Sequence, residues 1–176
     1  DTAQVRPGRL AADVGAGTGF MSEALIRRSL KVIAVDQSRE MLAKMRRKFE
    51  GVADLEYRQG DAAILPVSDG AVDYVFANMY LHHVDSPPEA IKEMARILKP
   101  GGRVVVTDLD AHDFDFLREE HHDRWKGFSR ESVDRWFAKA GLTNVGVDAA
   151  GEECCAMSSC GDQQASVTIF VASGGK

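Results

Sequence analysis

Arg9-Leu10-Ala11-Ala12-Asp13-Val14-Gly15-Ala16-Gly17-Thr18-Gly19 is the stretch on which the fold turns. A short apolar segment runs into glycines at three alternate positions, and helical apolar spacing follows at Met21, Leu25 and Ile26. A strand that ends this way and turns into a helix gives a ligand close access to main chain. The glycines remove Cβ atoms, tolerate unusual dihedrals and leave N–H groups pointing out of the helix start. A tight strand-to-helix turn with no ligand uses glycine in the same way. The spacing narrows the choice of ligand. Dinucleotide folds carry G-x-G-x-x-G, with pyrophosphate on the helix N-terminus. Here the third glycine comes one residue early, and Asp13 stands two residues before the first. A carboxylate at that point repels a diphosphate and suits a ligand with a cationic end. A nicotinamide-dependent oxidoreductase is therefore disfavoured.

Further along, Val32-Ile33-Ala34-Val35 is a predicted buried parallel strand ending in Asp36. That acid lies 17 residues beyond Gly19, close to the ~20 expected for a carboxylate that grips ribose hydroxyls. Leu55–Gln59 is a predicted strand followed by Gly60-Asp61-Ala62, and Val72–Ala77 is another that leads into Asn78-Met79-Tyr80-Leu81-His82-His83-Val84. Lys99-Pro100-Gly101-Gly102 then introduces a strand over Arg103–Asp108. Helical signals separate these strands. Ser38 caps a helix with an apolar stripe at Met41, Leu42, Met45 and Phe49. Ser86-Pro87-Pro88-Glu89 has the form of a capping box, ahead of Ile91, Met94, Ala95 and Leu98. Asp113 or Asp115 starts a helix predicted to reach Trp125, and Ser129 caps one over Arg130–Ala140. Thr143–Val147 and Ser166–Ala172 are closing strands, with a flexible connection rich in glycine, serine and cysteine over Gly151–Gln164. Alternation of strands and helices predicts an α/β fold, a parallel sheet with helices on both faces.

With these segments in hand, the chain resembles the class I S-adenosylmethionine-dependent methyltransferases. Within them it is similar to the small-molecule group that includes the ubiquinone/menaquinone methyltransferases (methyltransferase type 11). The resemblance runs from about Leu10 to Leu142 and rests on five segments in order: Asp13–Gly19, Asp36, Gly60-Asp61-Ala62, Leu81–Val84 and Leu98–Gly102. It implies a Rossmann-like, doubly wound, mostly parallel seven-stranded sheet with an antiparallel edge strand. It also implies S-adenosyl-L-methionine as cofactor. The methionine portion would lie over Gly15-Ala16-Gly17, with Gly19 closing the loop and Asp13 favouring the cationic end. Asp36 would take both ribose hydroxyls. Asp61 would accept from the adenine amino group, with the Ala62 N–H facing a ring nitrogen. Gln37 and Met41 would border the adenosine, and Asn78 would stand near the methionine end. Family members carry helices upstream of the first strand. This chain has about eight residues there, so the expectation is a single methyltransferase domain over residues 1–176 lacking an N-terminal lid.

The methyl acceptor is less defined. With 176 residues, 44% hydrophobic and 28% charged, the chain has ordinary globular proportions. A net charge of −5 argues against nucleic acid as a partner, and no apolar run is long enough to span a bilayer. A cytoplasmic enzyme acting on a small molecule is the expectation, with no oligomeric state assigned. Transfer from a sulfonium mostly requires the acceptor held at near-attack distance, and a base only if the acceptor carries a proton. His82 and His83 are the candidates for such a base, against a packed or solvated role. His112, Asp113, His121 and His122 show no tight metal-ligand spacing. Cys154, Cys155 and Cys160 could bind a soft metal or trivalent arsenic, could form a redox-sensitive disulfide, or are loop thiols with no catalytic role. Such a cluster is similar to those of methyltransferases associated with metalloid-responsive regulators, so an arsenite methyltransferase is one alternative. Arsenite methyltransferases, however, spread their cysteines along the chain. A protein that binds S-adenosylmethionine or S-adenosylhomocysteine without turnover is another.

Overall fold

The computed structural model describes residues 4–121, 123–159 and 164–176. Its strands are β1 (Leu10–Val14), β2 (Lys31–Asp36), β3 (Leu55–Gln59), β4 (Val72–Asn78), β5 (Leu98–Leu109), β6 (Thr143–Met157) and β7 (Gln164–Gly175). Among the described residues these seven form one sheet in the order β3-β2-β1-β4-β5-β7-β6. The first five are mutually parallel, and β7 runs antiparallel to both of its neighbours. The helices are α1 (Phe20–Arg27), α2 (Arg39–Lys48), α3 (Pro87–Ile97), α4 (Asp115–His121) and α5 (Arg130–Lys139), with one 3-10 turn at Leu81–His83. No described helix is long and apolar enough to cross a membrane.

The central strands read as unbroken apolar runs because both of their faces are covered. Side chains alternate across the sheet. Ala12, Val14, Ile33, Val35, Val75, Ala77, Val104 and Val106 pack with Ile91 and Met94 of α3 and with Val133 and Phe137 of α5. On the opposite face Ala11, Val32, Ala34, Phe76 and Val105 pack with Leu25 of α1 and Met45 of α2.

The caps largely follow the sequence. Ser38 Oγ accepts from Met41 N at 3.2 Å, and Ser129 Oγ from Ser132 N at 3.3 Å. Ser86 occupies the N-cap of α3 but makes no side-chain cap bond. Two prolines follow it, which lack N–H groups, and the Glu89 carboxylate accepts from Lys92 instead, at 3.4 Å. The helix stops at Ile97, ahead of Pro100, because the chain re-enters the sheet at Leu98.

Two elements differ from expectation. The helix predicted to run to Trp125 is confined to Asp115–His121. Beyond it the backbone turns inward, with Arg124 N and Trp125 N donating to His82 O and Trp125 Nε1 donating to Val84 O. The connection expected over Gly151–Gln164 is largely strand. After an irregularity between Ala149 and Glu153, pairing resumes from Glu153–Thr168 to Met157–Gln164. Cys154 and Ala156 face inward onto Leu109, Phe116, Leu117, Ala165 and Val167. Small side chains suffice there because α4 lies close by, and this hides the strand from a composition-based reading.

At the end of β1 the chain folds back on β2. Gly15 N and Ala16 N both donate to Val35 O, at 2.9 and 3.1 Å. Gly15 has φ +72, and a Cβ built on it overlaps the Tyr80 ring. Just before it, Asp13 is 1% exposed and accepts from Ser22 Oγ at 2.5 Å. Burial, aided by the Asp36 charge and opposed by the Ser22 hydrogen bonds, raises the Asp13 pKa from 3.8 to about 6.

The folded chain thus holds the Asp13 proton more tightly than the unfolded chain does. The stability from this group is full below about pH 4 and is lost as pH climbs through about 6. Asp13→Asn removes that dependence. Its stability relative to the parent is expected to rise by about 3 kcal/mol between about pH 4 and pH 7.5, measured by urea unfolding across the range; a flat difference contradicts the burial argument. Gly15→Ala is expected to cost about 1–2 kcal/mol from the left-handed backbone alone, plus the overlap with Tyr80. In a Tyr80→Ala background only the second part should disappear.

Candidate functional site

In open α/β sheets ligands bind at the carboxyl ends of the strands, where the strand order reverses. Here the reversal lies between β1 and β4, and the glycine turn opens there. Asp36, at the end of β2 and 8% exposed, is the fastener. Its Oδ2 accepts from Gly17 N and its Oδ1 from Ser38 N, both at 2.8 Å. One carboxylate therefore ties the glycine turn to the start of α2. Gly17 has φ +53, and a Cβ there meets nothing within 4 Å, so the turn presents bare main chain to open space. Ala16 is buried, and Gly19 is the N-cap of α1, packed against Met45 and Phe49.

The loop after β3 supplies the next wall. Asp61 is exposed, its Oδ1 accepts from Ala63 N at 2.7 Å and its carbonyl from Ile64 N at 3.2 Å. Arg96 of α3 holds this loop in place by donating to Leu65 O and Val67 O, at 3.0 and 2.9 Å. Gln37, Asp61, Ala62, Tyr80 and His83 line a small cavity of about 90 Å³. Met41 stands apart, half-buried in the first turn of α2. Asn78 closes β4 and accepts from Thr107 Oγ1 at 2.7 Å. Tyr80 joins the two regions: it covers Gly15 and lines the cavity beside Asp61. Burial, with the Asp36 and Asp61 charges, pushes its phenol up to about 12.

A second cavity, of about 290 Å³, has Met79 in its wall and shares His83 with the first. His82, His83, Leu117, Asp123, Cys154 and Cys155 are among the residues lining it. Its architecture depends on Asp108, which is wholly buried. Asp108 Oδ2 accepts from the main-chain N–H groups of Tyr80, Leu81 and His82 at 3.1, 2.7 and 3.4 Å. Oδ1 bonds His82 Nδ1 at 2.7 Å and accepts from Leu109 N at 2.8 Å. Burial alone would lower the His82 pKa, but the Asp108 hydrogen bond and the Asp108 and Asp123 charges outweigh it and hold the imidazole above its usual value. His82 Nε2 and His83 Nδ1 lie 3.7 and 3.6 Å from Asp123 Oδ1.

The cysteines divide. Cys154 is half-buried, and burial, Cys155 and Asp123 raise its thiol pKa. Cys155 is exposed, with Ser166 Oγ 3.7 Å away. Cys160 and His122 lie outside the described residues. Sequence reasoning missed Tyr80, Asp108 and Asp123. The first two sit in segments the motifs had marked, at a strand end and beside it. Asp123 carried no signal, because main-chain bonds to His82 O draw its segment inward.

Solved structures share this architecture. The YcgJ protein from Bacillus subtilis superposes with a TM-score of 0.81 at 18% identity, covering 99% of this chain and 94% of that one. A phosphoethanolamine N-methyltransferase 2 from Haemonchus contortus, in complex with S-adenosyl-L-methionine, gives 0.78 at 19% identity, covering 98% and 49%. Among curated proteins, the demethylmenaquinone methyltransferase of Renibacterium salmoninarum is 38% identical over 108 residues, 61% of this chain and 44% of that protein. The chain spans less than half the length of the first curated relatives it matches. The sequence model described as a methyltransferase domain matches residues 12–106, from the glycine turn's own strand into β5 and over more than half of the chain. On that match the chain belongs to the methyltransferase-domain family.

Proposed function

We propose that this chain is the catalytic core of an S-adenosyl-L-methionine-dependent methyltransferase acting on a small molecule. The observation that carries the reading is the hydrogen bond between Asp36 Oδ2 and Gly17 N. It fastens a bare glycine turn beside a carboxylate at the point where the strand order reverses. The residues fit the cofactor. A floor without a Cβ at Gly17 accepts a ligand lying on main chain. Each Asp36 oxygen keeps a lone pair for a ribose hydroxyl after accepting from Gly17 and Ser38. Asp13, buried at a raised pKa, gains from a cationic group brought near it. Asp61 and Ala62 would face the adenine and Gln37 would flank the adenosine, whereas Met41, outside that lining, would contribute at most its margin. Asn78 marks the methionine end.

The cofactor, when bound, supplies a methyl group already activated on a positively charged sulfur. The chain's part is therefore positioning, which contributes up to about 7–11 kcal/mol in favourable cases. Tyr80 lines the smaller cavity, its neighbour Met79 lines the larger one and His83 lines both, so the larger cavity adjoins the cofactor side and is where the acceptor would be held. His82, oriented by Asp108, is the group there suited to receive a proton from an acceptor that carries one. Support for a small-molecule acceptor comes from the methyltransferase named among the curated relatives.

Asp36→Ala is expected to weaken S-adenosylhomocysteine binding at least tenfold in calorimetric titration, about 1.4 kcal/mol or more. It should also lower the unfolding midpoint, since Gly17 N and Ser38 N lose their acceptor; unchanged affinity would sink the cofactor assignment. An acceptor screen that includes quinone precursors, small thiols and arsenite should release S-adenosylhomocysteine with at least one of them, and release with none, from a chain that binds cofactor, would favour a binding protein without turnover.

A further inference from the structure

The larger cavity contains a set of side chains whose arrangement goes beyond holding an acceptor. One ligand atom from each of His82, His83 and Asp123 lies within 4.8 Å of the other two. The two histidine–aspartate pairs, 3.7 Å and 3.6 Å, share Asp123 Oδ1. Ligands bonded to one zinc ion in a tetrahedron stand about 3.4 Å apart, so a small closing movement brings this set to metal-binding distance. We propose that His82 Nε2, His83 Nδ1 and Asp123 Oδ1 form a site for a divalent transition-metal ion of the zinc class; with the ion bound, Nε2 is a ligand and no longer the proton acceptor for the methyl-transfer step.

A second observation is independent of that spacing. A metal-ligating histidine almost always donates its other ring nitrogen to a carboxylate or carbonyl, which fixes the tautomer and aims the ligating nitrogen. His82 has this outer partner: Asp108 Oδ1 lies 2.7 Å from Nδ1, and Asp108 is itself held by four main-chain N–H groups. The opposite nitrogen is thereby directed at Asp123. The environment selects the ion. Two imidazoles with one carboxylate suit zinc, cobalt or nickel better than magnesium or calcium, which prefer oxygen. The side chains of His82 and Asp123 are each 6% exposed, while His83, at 39%, faces the opening. Three protein ligands leave a further coordination position toward the cavity, which the half-buried Cys154 also lines. The site does not depend on the methyl-donor cofactor.

The test titrates Co²⁺ into the full chain, purified free of metal, and follows its visible absorption together with Zn²⁺ calorimetry. One equivalent should bind with the intense absorption of a low-coordinate nitrogen and oxygen site. His83→Ala, at a partly exposed position, should weaken binding at least tenfold with the unfolding midpoint nearly unchanged, and Asp123→Asn should do the same. Cys154→Ala should retain binding. Absence of a stoichiometric site would overturn the assignment. So would binding that survives His83→Ala and Asp123→Asn, or that is lost only on Cys154→Ala, since the ion would then sit elsewhere.

Discussion

A carboxylate with no contact with water organises both sides of the site. Asp108 follows Thr107, the last β5 residue paired with β4, and its two oxygens gather the main-chain N–H groups of Tyr80, Leu81, His82 and Leu109 together with the His82 ring. A buried charge is tolerated only when it is fully hydrogen-bonded, so the turn after β4 has little freedom. The path of that turn sets Tyr80 over Gly15 on one side and His82 beside Asp123 on the other. The cover over Gly15 and the His82 wall of the larger cavity thus both follow from the hydrogen bonds to Asp108.

Asp36 does corresponding work one layer away. It joins the turn after β1 to the cap of α2 through two charge-assisted bonds of 2.8 Å. Asp13 sits behind it and accepts from Ser22. The two acids lie close enough for the Asp36 charge to help raise the Asp13 pKa. Placing them together lowers stability at neutral pH, a pattern expected where a positively charged ligand supplies the missing partner.

Much of this was legible in the sequence. The apolar runs of β1, β2, β4 and β5, the glycine spacing and the caps at Ser38 and Ser129 depend on local pattern, and local pattern is what a sequence exposes. Asp13, Asp36 and Asp61 were visible as acids at strand ends. Their present hydrogen bonds, to Ser22, to Gly17 and Ser38, and to Ala63, were not. The distal half of the hairpin was hidden because its inward positions are Cys154 and Ala156, too small to register as an apolar stripe. The neighbourhood of Asp123 was hidden for another reason. Arg124 and Trp125 bind His82 O through main-chain N–H groups, which every residue but proline possesses, so no choice of side chain announces the contact.

The hairpin beyond Glu153 has one more implication. Among the described residues β6 is the outermost strand and pairs with β7 alone, so residues added to or removed from the hairpin's far end re-register none of the five parallel strands. That far end also forms one wall of the larger cavity, through Cys154, Cys155 and Ala156. Changes at Cys154, Cys155 and Ala156 can therefore reshape that wall while the glycine turn keeps its geometry.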